Sequence, residues 1–468
     1  MRFKILALLC LNLLLAACAA NISAADQVAT SVAATLAANG QPVPTAQPTL
    51  GEVATQAPSE PACSNAGLVN VAYVKDGNLW LWTQGGMRTQ LTESADVLEV
   101  AISGDGCRIA YTRSQPNPQY DPDSEFAAPE TLAELWVVSS DGANNRALVD
   151  TAYLASQPVP DGNNIASVAR FQFQPRSHSL AFNTQMLHPG VGRTLRNDLT
   201  LVNVDSGELT PLLGVEQGGD EFAFSPDGQQ IAFSTPTQVH VINSDGSYLR
   251  RELITFSQVI TYSEYLYSPP LYWAQDGRAL LVAVPPADAL APGRPETALW
   301  WIPLDGTPAF QAGSVQAAFF IMGAARFSPD GGRVAYLRPL DGDSGANELV
   351  IALSNGSNES PVLRGEQIQF LAWSPDSSRY LYSYVDGAAR LVLANAADSQ
   401  VSPLALPGTL APFALQVQWV DAARFLILEQ SQNGGRLGLM DTLGSYEEVD
   451  RFAVPFTSFA VTRELGQK

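Results

Sequence analysis

Phe222-Ala-Phe-Ser-Pro-Asp-Gly-Gln-Gln-Ile-Ala-Phe233 and Ala325-Arg-Phe-Ser-Pro-Asp-Gly-Gly-Arg-Val-Ala-Tyr336 are two copies of one pattern. Leu371-Ala-Trp-Ser-Pro-Asp-Ser-Ser-Arg-Tyr-Leu-Tyr382 is a third that has lost only the glycine. Degenerate copies begin at Ala101, Phe171, Leu271 and Val417. In each, an apolar-x-apolar triplet reads as a strand with alternate residues facing inward. Pro226 presets φ for a tight turn, Asp227 offers a carboxylate to nearby amides, and Gly228 accepts positive φ. Ile231-Ala-Phe233 then returns antiparallel to the first strand.

A second hairpin follows the first. Leu135-Trp-Val-Val-Ser-Ser-Asp-Gly142, Val239-His-Val-Ile-Asn-Ser-Asp-Gly246 and Leu299-Trp-Trp-Ile-Pro-Leu-Asp-Gly306 each place Asp-Gly at the end of an apolar run, a strong hairpin signal. Two hairpins make four antiparallel strands, the content of one propeller blade. Asp227, Asp276, Asp330, Asp376 and Asp421 recur 45 to 54 residues apart, which suits such a unit. Seven inner hairpins are visible against eight outer ones, because Leu79-Trp-Leu-Trp82 has no full inner hairpin before it. The stretch from Phe452 to Val461 offers the missing inner strand. The expected fold is therefore an all-β propeller of eight four-stranded antiparallel blades, with seven as the alternative, closed by the C-terminal strand.

The SPDG turns followed by LWVV-x-x-DG resemble the WD40-like repeats of TolB-like and dipeptidyl-peptidase propellers, over roughly residues 68 to 463. Arg2 and Lys4 precede an apolar run, Ile5 to Ala17, too short to span a membrane and suited to a secretory signal. The run ends in Leu15-Ala-Ala-Cys18, which resembles a bacterial lipobox. That resemblance implies a signal peptide over 1–17 and acylation of Cys18, with palmitate-type chains as the anchor. Residues 18–62 read as an Ala/Thr/Pro-rich tether carrying at most a marginal helix over 26–38. Residues 63–468 form the propeller domain.

Without Arg2 and Lys4, 24 basic residues face 46 acidic ones, a net charge near −22. Such a surface repels phosphate backbones, so nucleic acid is excluded as a partner. Cys10 leaves with the signal and Cys18 with the lipid, so Cys63 and Cys107 are expected to pair. Closing that loop is worth roughly 4 kcal/mol in the chain-entropy model.

The turns inside hairpins stay short, whereas the other connections lengthen, as at 114–133, 151–166, 185–197, 256–270, 285–297 and 338–347. In a meander these two classes emerge on opposite faces, and long insertions on one face suggest a recognition surface. Candidate contact residues on it are Tyr120, Phe126, His188, Arg193, Arg196, Tyr262, Tyr265 and Tyr267, since Tyr and Arg combine area with directed hydrogen bonds.

No catalytic motif is found. Gly342-Asp-Ser-Gly345 lacks the rest of a serine-protease signature, no Gly-x-Ser-x-Gly elbow exists, and the three histidines form no zinc motif. Asp121 to Glu125 lacks the full spacing of a calcium loop. Neither metal nor cofactor is expected, and the chain reads as non-enzymatic. The expectation is a lipid-anchored protein on the extracytoplasmic face of a bacterial cell membrane, monomeric, binding or scaffolding an envelope or extracellular protein, peptide or glycan. The alternative is a propeller hydrolase or lyase acting on extracellular carbohydrate or peptide, its acids hidden in the channel.

Overall fold

The computed structural model describes Cys63 and residues 68–124, 129–158, 164–188, 192–262, 266–288, 291, 296–317, 326–340, 345–398, 400–407, 412–454 and 457–462. The signal peptide, Cys18, the tether with its marginal helix, Phe126, Tyr265 and the segment 341–344 lie outside the described residues, as does the side chain of Arg193. Everything that follows belongs to the unit Ala62–Lys468.

Eight antiparallel sheets follow one another along the chain. Blade 1 joins the C-terminal strand Phe459–Val461 to Asn70–Lys75, Asn78–Thr83 and Met87–Gln90. Blades 2 to 8 then occupy 97–149, 165–213, 221–255, 272–315, 326–365, 368–404 and 414–452. The expected closure is present but economical. Phe452 ends the outer strand of blade 8, and only Phe459–Val461 pairs with Val71–Tyr73. Reciprocal bonds reinforce that seam: Asn70 N donates to Thr462 Oγ1 at 3.0 Å and Thr462 N to the Asn70 carbonyl at 3.0 Å.

Blade 3 departs from four strands. Its second strand, Ser179–His188, is ten residues long, but Leu199–Asn203 covers only residues 179–182. Gly192–Leu195 folds back to pair with 185–188, giving a fifth strand. The connection at 151–166 also contains a one-turn helix, Thr151–Ser156, capped by Asp150, whose carboxylate accepts from Tyr153 N at 2.8 Å.

Eight apolar clusters hold the ring together, one between each pair of successive blades. The alternation within each strand sends one set of side chains to the preceding blade and the other to the next. No blade covers its own apolar faces, so stability depends on ring closure.

The turn motif repeats its chemistry as well as its sequence. Ser225 Oγ donates to Asp227 Oδ1 at 2.6 Å, that oxygen accepts from Gln229 N at 3.0 Å, and Ser225 Oγ accepts from Gln230 N at 2.9 Å. The same three bonds recur at Ser103/Asp105, Ser328/Asp330 and Ser374/Asp376. Gly228 adopts φ +75°, which explains the glycine. Ser377 holds the equivalent left-handed place at φ +60° and uses its hydroxyl, which accepts from Asp330 N of the neighbouring blade at 2.9 Å.

Cys63 and Cys107 form the expected disulfide, with Cα atoms 5.5 Å apart. Cys107 lies in the first turn of blade 2, where Gly106 abuts Asn70 and Thr462 of the seam. Among the described residues, no helix is long and apolar enough to cross a membrane.

Candidate functional site

Inner strands run from the long-connection face to the short-turn face, so their last residues and the turns after them surround the ring axis. A cavity of about 1220 Å³ opens there, on the short-turn face, with walls from blades 3 to 8. Phe224, Gln275, Trp301, Trp373 and Trp419 line it, and Arg176 stands at its edge. It lies opposite the face that loop length alone would favour.

The rim is stitched from blade to blade. Gln174 Nε2 donates to the Gly228 carbonyl at 2.8 Å, Gln275 N to Pro329 O at 2.8 Å, and Asp330 N to Ser377 Oγ. Deeper in, Trp273 Nε1 donates to Ala223 O and Trp373 Nε1 to Arg326 O, both at 3.0 Å. These two tryptophans occupy equivalent places in blades 5 and 7, each reaching back to the preceding blade. The wall is therefore built before any ligand arrives. Burial works against the Asp330 carboxylate, but bonds from Ser328, Gly332 and Ser377 outweigh it and hold its pKa below the usual carboxylate range. Asp305 is likewise lowered, chiefly by the Thr307 amide. Indoles, amides and fixed carboxylates can bind a polar ligand with apolar faces, a peptide or a glycan.

A second group of polar side chains stands on or beside the inner strands of blades 2 to 4. Arg170 clasps Glu221 with both guanidinium arms, one at 2.7 Å. Asp220 accepts from Ser268 Oγ at 3.0 Å, yet burial raises its pKa, with Glu221 adding to the effect. Glu99 is raised as well, by burial, with Arg170 opposing.

The residues expected on the long-connection face are scattered among separate connections. Tyr120, 38% exposed, lies between the second and third strands of blade 2. His188 ends the second strand of blade 3, with Nε2 2.6 Å from Thr194 Oγ1. The backbone of Arg193 pairs with Leu187. Tyr262 is 62% exposed between blades 4 and 5 and donates to Asp288 Oδ1 at 2.7 Å. Tyr267 is half-buried, and burial pushes its hydroxyl pKa upward.

Arg196 requires correction. It is 2% exposed, donating to Thr184 Oγ1 at 3.3 Å and Pro158 O at 3.1 Å, so it braces blade 3 from inside instead of facing a ligand. A charged residue in a long polar connection reads as solvated until the chain around it closes. Gln275, Trp301, Trp373 and Trp419 are absent from the residues expected at a site. Position was the available signal for three of them, since Trp373 and Trp419 directly precede a turn and Gln275 lies within one. Among the described residues no group of three or more His, Cys, Asp or Glu side chains is placed to hold a metal ion.

No protein-family model matches this chain, and no curated protein sequence does. Several solved structures are similar to it. An oligogalacturonate lyase in complex with manganese shares 16% identity over 69% of this chain and 83% of its own, with a TM-score of 0.43. TolB from Acinetobacter baumannii shares 12% identity over 77% and 84%, with a TM-score of 0.37. A prolyl endopeptidase shares 13% identity with a TM-score of 0.48, over 79% of this chain but only 50% of its own length. The propeller architecture rests on the strand pairing above.

Proposed function

We propose that this protein is an extracytoplasmic lipoprotein whose propeller is a binding or scaffolding module, with ligand capture at the axial cavity of the short-turn face. The observation that carries the reading is that cavity, whose rim is bonded from blade to blade and whose lining mixes indole, amide and carboxylate. A rigid, concave, mixed surface suits recognition of a peptide or glycan. Anchoring is supported by the lipobox-like Leu15-Ala-Ala-Cys18 and the tether after it.

Two measurements test this. Cells fed labelled palmitate should incorporate it into the protein and not into Cys18→Ser. A photo-crosslinking side chain at Gln275 should trap a partner in intact cells, whereas one at Tyr248, on an outer turn, should not. Crosslinks from Tyr120 with none from Gln275 would move the site to the other face.

The enzyme reading draws on one observation. Asp220, raised in pKa, lies beside Glu221, which Arg170 holds, an arrangement that can pair a proton donor with a carboxylate. Turnover of a glycan or peptide library that vanishes in a folded Asp220→Asn variant would establish it.

A further inference from the structure

A second hollow shares no lining residue with the axial cavity. It holds about 230 Å³ between blades 2 and 3, at the long-connection end. That is too small for a drug-sized ligand and about right for one long side chain. Leu132, Val168 and Leu187 give its inner wall three buried apolar side chains, beside buried Thr112 and Ser167. Glu99, Thr131 and Gln185 add polar groups nearer solvent.

Glu99 decides what fits. Its backbone amide donates to Thr112 Oγ1 at 3.2 Å, but among the described residues no hydrogen bond or ion pair reaches its carboxylate. The nearest cation acting on it, Arg170, is engaged at both arms by Glu221. We infer that this pocket captures a lysine side chain of a polypeptide partner. The apolar wall sheathes the methylenes, and Glu99, with the Gln185 amide and the Thr131 hydroxyl, receives the ammonium group.

Other occupants fit less well. An anionic group meets an uncompensated carboxylate. A neutral aliphatic chain strips water from Glu99 and offers no charge in return. Glu99 is exposed at the mouth of the hollow, so an incoming ammonium reaches its carboxylate without displacing a protein partner. The strongly acidic surface also steers basic partners inward. This site is independent of the axial cavity and stands if that reading fails.

The test is methyl NMR on the full chain in detergent, titrated with Nα-acetyl-lysine methylamide and, separately, its norleucine counterpart. The lysine probe should shift the methyls of Leu132, Val168 and Leu187 and leave those of Val420, which lines the axial cavity, unmoved. The norleucine probe should bind at least tenfold more weakly. Glu99→Gln, solvent-reached and close in shape, should keep the melting temperature and lose at least tenfold in lysine affinity. Arg170→Gln should bind no more weakly than the unaltered protein. Equal affinity for both probes would make the hollow a mere apolar gap and overturn the proposal. So would retained lysine binding in Glu99→Gln, or no shift with either probe at tens of millimolar.

Discussion

At the short-turn end of the ring, the same three bonds recur in blades 2, 4, 6 and 7, and neighbouring turns are tied to one another. At the long-connection end, each blade has its own solution. Blade 2 clasps Asp96 with Arg113, which stacks 4.4 Å over Trp136. Blade 6 holds buried Glu348 between Arg338 and Arg364 at 2.6 Å each. Blade 8 buries Glu429 against Arg436, 0% and 3% exposed, with two bonds of 2.8 and 2.6 Å. The difference teaches where a repeat tolerates change. Where Ser and Asp are both kept, the turn satisfies its own backbone in the same way each time, whereas a charge pair across two strands can be invented separately in each blade.

That contrast can be broken by measurement. Glu429→Ala should be the most damaging single change, at about 3–5 kcal/mol, because it strands a buried guanidinium. Replacing Glu429 and Arg436 together with Leu and Met should recover most of the loss in urea unfolding. Separate losses that simply add would deny the pair its private character. Next comes the disulfide at the turn end, whose removal by Cys63→Ser with Cys107→Ser should cost about 3–4 kcal/mol. Ser374→Ala should cost about 1–2 kcal/mol, since two backbone partners lose one hydroxyl. Equal penalties for Ser374→Ala and Glu429→Ala would erase the distinction between the two ends.

A smaller effect concerns pH. At the turn end His178 bridges Asp205, 2.7 Å from Nδ1, and Asp105, 3.0 Å from Nε2, while Arg108 holds Asp205 at 2.6 Å. Only the protonated ring can donate to both carboxylates, and the bond to Asp105 leads in raising its pKa above 6.5. The histidine's contribution is therefore complete below pH 6.5 and fades as pH rises through the higher folded-state value. Asp105 and Asp205 are lowered, the first chiefly by His178 and the second by bonds from His178 and Arg108 that overcome burial. Their contributions fade at the acid end, as pH falls below 3.8 through the depressed values. Urea midpoints should show an alkaline decline that His178→Gln lacks, and identical profiles would discount the bridge. The smallest effect is expected from Tyr262→Phe, under about 0.5 kcal/mol, because its bond to Asp288 is exposed.

Legibility divides along the same line. Blade count, hairpin order, the closing strand and the Cys63–Cys107 pairing follow from neighbouring residues or from simple elimination, and the structure contains all four. The fifth strand of blade 3 was hidden, because it arises from a length mismatch between strands that no local motif marks. Arg196 misled for a related reason, since its partners Thr184 and Pro158 come from other segments of the fold.

What the sequence determined unaided is the repeating unit. An alternating strand and a Ser-Pro-Asp-Gly turn are fixed by φ preferences and by bonds spanning at most five residues. Only the closed ring decided where the hollows lie. The axial cavity is the volume left when turns as distant as Arg176 and Val420 converge, and the smaller pocket is what two unlike blades fail to fill. Such voids belong to no segment, because they are set by how finished blades wedge together.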